Sequence, residues 1–285
     1  KSETYEDCMS YASRLIKESG KAVLKADTLC QGKGVFIAES LIDAEDFCKK
    51  VLIEKIFGEC SMVVEEYLDG FEMSLLCFVD NNTIKPLPTV KDHKKIHDGE
   101  RGLNTGGMGT YSPNSQADIY LSEIESTVLT PFLDGIKKDA LDFRGIIFIG
   151  FMIGTKGIKV LEFNTRFGDP ETQTVLQRLE TDLLDIMLHT SDSNLNGIDI
   201  RFNDKKVITL VISSGGYPEK YETGCEITGL ENVSSKVFHA GTAIKDGKPV
   251  TSGGRVISLT SCKDTFEEAF NLVYSDAKAV DFKNK

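Results

Sequence analysis

Between Val160 and Glu171 the chain reads Val-Leu-Glu-Phe-Asn-Thr-Arg-Phe-Gly-Asp-Pro-Glu. Apolar and polar residues alternate from Val160 to Asn164, the period of a half-buried strand. Strand side chains point to alternate faces, so Glu162, Asn164 and Arg166 are expected to share one. At a rise of about 3.3 Å per residue, neighbours on that face lie roughly 6–7 Å apart. A carboxylate and an amide oxygen presented together are hard ligands of the kind Mg2+ takes. An arginine adds a fixed fork of donors for phosphate or carboxylate. Gly168-Asp169-Pro170-Glu171 then breaks the alternation. Asp169 as N-cap and Pro170 at the first helical position predict a helix start, and helix starts attract anions. The same residues would also suit an amphipathic edge strand with a solvated polar face, so other segments must decide.

Two further segments carry phosphate and nucleotide chemistry. Lys25 is the lone charge in the short strand 22–26, which runs into Gln31-Gly32-Lys33-Gly34 and out along 35–38. Two strands joined by a glycine-lysine-glycine turn form a flap whose backbone N–H groups can approach phosphates. It is not a Walker A loop, which opens a helix and has a different spacing. Met62-Val63-Val64 ends in Glu65-Glu66-Tyr67-Leu68, and Asp69-Gly70 turns into a strand from Glu72 to Val79. Exposed peptide groups there would pair with the edge of a base, and Glu72 would accept from ribose hydroxyls.

The stretch from Leu87 to Pro113 has no hydrophobic period and reads as a long polar loop, a feature usually tied to function in a compact domain. It holds Asp92, His93 and Lys95, followed by the glycine-dense Asn104-Thr105-Gly106-Gly107-Met108-Gly109. Glycines let backbone come close to a ligand. His93 is expected to hydrogen-bond rather than bind metal, because no second histidine or cysteine has ligand spacing.

The elements that must position these residues alternate between helix and strand. Helices are predicted over 5–19, 40–57, 122–140, 170–189 with a break near 180–182, and 265–279. Strands are predicted at 62–64, 72–79, 146–153, 206–213 and around Val237 and Val256. The fold class is α+β. The chain of 285 residues is long for a single core, and divides on this reading into 1–66, 67–198 and 199–285. Its formal charge of −11 argues against broad nucleic-acid or anionic-membrane binding. Seven scattered cysteines without a Cys-x-x-Cys pair suggest neither a disulfide framework nor zinc, and fit a reducing cytoplasm. Two glycosylation sequons, at Asn81 and Asn232, matter only in a secreted chain. No apolar run is long enough to span a bilayer and no signal sequence is evident. Lys1 at the start and Lys285 soon after a helix suggest that both ends are cut.

An ordered set of motifs resembles a known family. Lys25-Ala-Asp-Thr-Leu-Cys-Gln-Gly-Lys-Gly34, Asp92-His-Lys, Asn104–Gly109 and Glu162–Gln173 come in order, then Gly216-Tyr-Pro218, Phe238-His-Ala-Gly-Thr242 and Ser252-Gly-Gly-Arg-Val256. They are similar to those of glycinamide ribonucleotide synthetases (phosphoribosylamine–glycine ligases), in the ATP-grasp superfamily, and cover nearly the whole chain. Several residues depart from that pattern: Thr28 stands for a usual glycine, Cys30 and Gln31 for small residues, and Lys91 for glutamine. Lys95 stands for arginine and Leu103 for proline. The family's N-terminal domain, which helps hold phosphoribosylamine and ends near a further ATP-contacting lysine, is not in this chain.

The resemblance implies an ATP-grasp fold, two α+β lobes holding ATP between them, with a small C-terminal α+β domain. It implies ligation of glycine to 5-phosphoribosylamine through a glycyl phosphate in de novo purine synthesis. Glu162 and Asn164 would then hold Mg2+ or Mn2+, while Lys25, Gly32, Lys33 and Gly34 hold the ATP phosphates. Glu65, Tyr67 and Leu68 would frame adenine, Glu72 the ribose, and Arg166, with Lys25, would act on the transferring phosphoryl group. Asp92, His93, Lys95, Asn104, Thr105, Gly106, Gly107, Asp169, Pro170 and Glu171 would line the pocket for glycine and phosphoribosylamine. The resemblance leaves the oligomeric state open between monomer and homodimer. Another ATP-grasp carboxylate–amine ligase, or an inactive scaffold domain of a multifunctional purine protein, are the alternatives. Retention of Lys25, Glu162, Asn164 and Arg166 speaks against the scaffold.

Overall fold

The computed structural model describes residues 1–30 and 34–285, so Gly32 and Lys33 of the predicted flap lie outside the described residues. Two compact units are present, Lys1–Asp69 and Gly70–Lys285.

In the first unit, α1 (Tyr5–Ser19) starts at Thr4, whose hydroxyl accepts from Asp7 N, and ends at Gly20 with φ of 81°. Three antiparallel strands follow in spatial order β2-β1-β3: β1 (Ala22–Ala26), β2 (Val35–Ala38) and β3 (Met62–Glu66). Between β2 and β3 lies α2 (Leu41–Cys48), capped by Ser40 and continued by a π-helical turn to Ile53. The core closes around Cys8, Ala12, Leu24, Phe47, Val51 and Met62.

The second unit is built on a central antiparallel sheet. Its strands are β4 (Phe71–Val79) and β5 (Ile84–Pro86). The polar stretch that follows is not a loop. It holds β6 (Lys91–Asp92), β7 (Lys95–His97), β8 (Arg101–Asn104) and β9 (Gly109–Ser112). These strands are two to four residues long, too short for a side-chain period to register, and backbone pairing rather than burial defines them. A helical run follows as α3 (Ser115–Asp118), α4 (Leu121–Ile124) and α5 (Thr130–Lys138). The chain returns through β10 (Gly145–Gly154) and β11 (Gly157–Asn164), then α6 (Glu171–Val175) and α7 (Leu183–Ser191). The rest comprises β12 (Lys206–Ser213), β13 (Lys236–His239), β14 (Thr242–Lys245), β15 (Lys248–Thr251), β16 (Arg255–Lys263) and α8 (Phe266–Ala279). A capping box of Thr265 and Glu268 starts α8.

The central sheet has the order β11-β10-β4-β5. Its middle strands are covered on both faces, which is why they read as unbroken apolar runs. Leu75, Cys77, Ile147, Ile149 and Phe151 pack towards Ile124, Leu129 and Ile136 of the helical run. Leu76, Phe78 and Phe148 pack towards Val175 and Ile186 of α6 and α7. A second sheet, β13-β16-β12-β9-β6, takes β6 and β9 from the first half of the unit and the others from the second. The sequence-drawn boundary near residue 198 therefore falls inside one unit and one sheet. Buried hydroxyls cross that sheet to α6: Thr110 to Thr174 at 2.6 Å, Thr174 to Thr209 at 2.6 Å, and Thr209 to Thr260 at 2.9 Å.

Candidate active site

Strand register brings the central residues together. In antiparallel pairing, directly opposed residues point to the same face. Glu72 opposes Met152 and Ser74 opposes Gly150 across β4 and β10. Across β10 and β11, Gly150 opposes Glu162 and Phe148 opposes Asn164. Glu72, Ser74, Glu162 and Asn164 thus share a face, with Gly150 leaving open space in the middle of the row. A Cβ at Gly150 would stand 3.2 Å from Glu162 Cγ, so the Glu162 side chain lies across that space. The expectation that Glu162 and Asn164 share a face holds.

Arg166 is different. The strand ends at Asn164, and Arg166 sits in a bend beyond it. Its guanidinium turns back, donating to Phe167 O at 2.9 Å and to Asn164 Oδ1 at 3.4 Å. It reaches the face from past the strand end rather than as the third member of the row. The predicted helix start is also corrected. Asp169 is not the N-cap: α6 begins at Glu171 with Pro170 in the cap position, and no side chain caps it. The Asp169 carboxylate instead accepts from Gln173 Nε2 at 2.6 Å and from Arg255 at 3.2 Å. The carboxylate is thus shared between a side chain of α6 and an arginine far along the chain.

The two predicted polar segments form the arms of one ribbon. Lys95 pairs with Asn104, Thr105 N and Oγ1 both donate to Lys94 O (2.8 and 2.7 Å), Met108 N donates to His93 O at 2.8 Å, and His93 N donates to Gly109 O at 2.9 Å. On the other side Ser74 and Val90 exchange backbone hydrogen bonds. This zips the ribbon to the edge of β4 and sets Lys94 3.2 Å from Glu72. Gly107, with φ of 110°, covers Asp92: a Cβ there would meet Asp92 Oδ1 at 2.9 Å and Pro170 Cδ at 2.7 Å.

Lys94 is not among the residues the sequence points to, although it lies two residues from Asp92 on an extended segment and so on the same side. Burial works against its charge, yet Glu72, then Asp92 and Glu162, outweigh it and hold Lys94 above the ordinary lysine value. Two carboxyls beside it are nearly inaccessible: Asp92 is 6% and Glu171 4% exposed. Burial, reinforced by Glu171, pushes Asp92 well above the usual carboxylate range, against the pull of Lys94. Burial also raises Glu171, opposed by its own backbone N–H, Lys94 and Arg166. Among the described residues Asp92 Oδ1 has no hydrogen-bond partner, and Glu171 accepts from the Ser74 hydroxyl at 3.4 Å. His93 is kept below its ordinary value by burial and by Lys91 and sits 3.6 Å from Glu100.

Beside Asp169 opens a cavity of about 460 Å3, lined by Phe167, Gln173 and Leu176 and by Phe238 and His239 from β13. The two β13 residues belong to a motif noticed in the sequence without a role.

The residues of the first unit expected to hold nucleotide form their own group. Lys25 pairs with Glu65 at 2.5 Å, Lys21 lies 4.9 Å from the centre of the Tyr67 ring, and Gly34 O accepts from Ala26 N at 2.8 Å. Leu68 follows Tyr67, half-buried.

Among the described residues no three His, Cys, Asp or Glu side chains form a metal cluster. Glu162 and Asn164 are a two-oxygen set on one face. That suits a hard cation which draws its remaining ligands from phosphate oxygens and water.

Comparisons with known proteins place the chain in a family. Residues 1–172 match the model of the phosphoribosylglycinamide synthetase ATP-grasp (A) domain, and residues 207–285 that of the same synthetase's C domain. A phosphoribosylamine–glycine ligase of Caldanaerobacter subterraneus is 41% identical over 95% of this chain and 66% of its own length. The trifunctional purine biosynthetic protein adenosine-3 of Gallus gallus is 43% identical over 92% of this chain and 27% of its own. The chain thus spans under two thirds of either curated relative. The crystal structure of a Thermotoga maritima phosphoribosylamine–glycine ligase superposes with a TM-score of 0.87 at 34% identity, over all of this chain and 71% of that one. The biotin carboxylase domain of a Hydrogenobacter thermophilus 2-oxoglutarate carboxylase shares the fold alone, with a TM-score of 0.66 at 15% identity over 95% of this chain and 60% of that one. With its ATP-grasp fold and both domain models matched, the chain belongs to the phosphoribosylglycinamide synthetase family.

Proposed function

We propose that the protein is an ATP-dependent ligase joining glycine to 5-phosphoribosylamine through a glycyl phosphate, with release of ADP and phosphate and formation of glycinamide ribonucleotide. The observation that carries this reading is the convergence of Lys94, Glu72, Glu162 and the buried carboxyls Asp92 and Glu171 on one face. A carboxylate is a poor acyl donor, so it is first phosphorylated and only then attacked by the amine. Phosphoryl transfer asks for alignment and charge neutralisation more than covalent help.

Glu162 and Asn164 offer the oxygens for Mg2+ or Mn2+, which when bound neutralises charge on the nucleotide phosphates. Arg166 steadies the transferring phosphoryl oxygens, since its guanidinium already borders Asn164. Lys25, with Gly32, Lys33 and Gly34, holds the ATP phosphates; its ion pair with Glu65 is the contact it must share or release. Glu65, Tyr67 and Leu68 frame the base and Glu72 the ribose.

Asp92 and Glu171, with Pro170 and Asp169 beside them, accept the ammonium end of glycine. Two carboxyls held up by burial gain most from a cationic partner. His93, Lys95, Asn104, Thr105, Gly106 and Gly107 close the pocket for glycine and phosphoribosylamine. The same reading has the enzyme act as a monomer or homodimer in the cytoplasm. Among the described residues no helix is long and apolar enough to cross a membrane.

The test is ADP release by the full-length protein, dependent on both glycine and phosphoribosylamine. Glu162→Ala should reduce it to background. Persistence of release in that variant overturns the metal assignment. Equal efficiency with another small carboxylate overturns the substrate.

A further inference from the structure

Three motifs of the second unit have no part in the chemistry above: Gly216-Tyr-Pro218, Phe238–Thr242 and Ser252–Val256. They meet around one side chain. Arg255 Nη1 donates to Asp169 O at 2.6 Å and Gly106 O at 2.8 Å and lies 3.4 Å from Gly107 O, while Nη2 reaches Asp169 Oδ2 at 3.2 Å. From the other side, Gly106 N donates to the Tyr217 hydroxyl at 2.9 Å.

The surrounding backbone holds Arg255 in place. Ser214 donates from N to Gly254 O at 2.8 Å and from Oγ to Gly253 O at 3.0 Å. Gly241 N donates to Arg255 O at 2.9 Å, and Ser252 N to Gly241 O at 2.7 Å. The Tyr217 ring fills the place of a side chain at Gly254, where a Cβ would stand 2.2 Å from its Cδ2. At Gly106 a Cβ would meet the Arg255 guanidinium carbon at 2.9 Å. Both glycines are thus fitted to the contact.

We propose that Arg255, supported by Tyr217, is a positioning residue: it locks the Gly106–Gly107 peptides to the Asp169–Pro170 turn and so sets the spacing of Asp92 and Glu171. This rests on the ligase reading for its consequence in catalysis. Gly107 covers Asp92 and abuts Pro170, and Pro170 precedes Glu171, so each buried carboxyl lies one step from a group that Arg255 holds. Without a cation, three carbonyl oxygens and a carboxylate would converge unneutralised and move apart. A planar fork with five donors serves several acceptors at once, which a lysine ammonium on a flexible stem does not.

The experiment compares Arg255→Ala, Arg255→Lys and Tyr217→Phe with wild type in the full-length protein. In Arg255→Ala, kcat/KM for glycine should fall about a hundredfold, the scale of a small misplacement of reacting groups, while KM for ATP stays unchanged. Arg255→Lys should lose an intermediate amount, and guanidinium ion at a sub-denaturing concentration should restore part of the rate in Arg255→Ala only. Wild-type glycine kinetics in folded Arg255→Ala overturn the proposal. So does an equal fall in the glycine and ATP parameters matching a loss of folded protein by circular dichroism. If wild type itself shows no glycine-dependent ADP release, the ligase reading fails instead. Hydrogen exchange then decides the clamp: the Gly106 and Gly107 amides should lose protection in Arg255→Ala, and unchanged protection overturns it.

Discussion

At Asp92 the cost of burying a charge meets the substrate role proposed above. Its carboxyl is buried under Gly107 with one oxygen unpartnered among the described residues, and burial raises its value well above the ordinary 3.8. A group whose folded value is raised adds stability below its unfolded value and loses it as pH climbs through the window up to the folded value. At pH 7 the wild type therefore carries the cost of this carboxyl. Asp92→Asn removes it, and calorimetry at pH 7 should show a melting temperature about 2–4 °C higher than wild type. The gap should narrow as pH falls towards 4, and the proposed ligase activity should be lost. A gap of the same size at every pH would mean that titration of Asp92 is not its source.

At the scale of elements, the ribbon of β7 and β8 and its glycine-rich end bring the polar groups to the sheet. Gly107→Ala should be costly there, because the residue holds φ of 110° and its Cβ would meet Pro170 and Asp92. The expected loss is about 1–3 kcal/mol, read by urea unfolding, with a raised KM for glycine; neither change would show that the loop has room to shift. These elements also mark how far the sequence could be read. The shared face of Glu162 and Asn164 is legible because they keep strict alternation with Leu161 and Phe163. The place of Arg166 is not legible, because alternation says nothing about where a strand ends. The ribbon reads as a loop in the sequence because its strands are too short to show a period. Asp169 had the composition of a cap, but composition does not reveal a competing arginine 86 residues away. Lys94 was available from its parity with Asp92, whereas the reach of Arg255 was not, since nothing local ties residue 255 to residue 106.

At the scale of the whole molecule, the sheet β13-β16-β12-β9-β6 draws on both matched family segments. Cutting the chain after Lys205 would strip β9 of its partner β12 and expose its edge. Such a truncated protein should lose near-ultraviolet circular dichroism and aggregate on expression; a soluble fragment with a cooperative melt would show that β9 does not depend on β12. The threonines across this sheet sharpen the point. A hydroxyl has one proton to give, and Thr110 gives its own to Pro170 O, 3.2 Å away. Thr174 must then donate to Thr110, Thr209 to Thr174, and Thr260 to Thr209. The row has a polarity, running from β16 towards the turn that carries Glu171, and the four hydroxyls cannot reverse singly. Losing the hydroxyl at Thr260 would remove only the last donor, while losing it at Thr174 would sever the row and leave Thr110 and Thr209 each short of a partner.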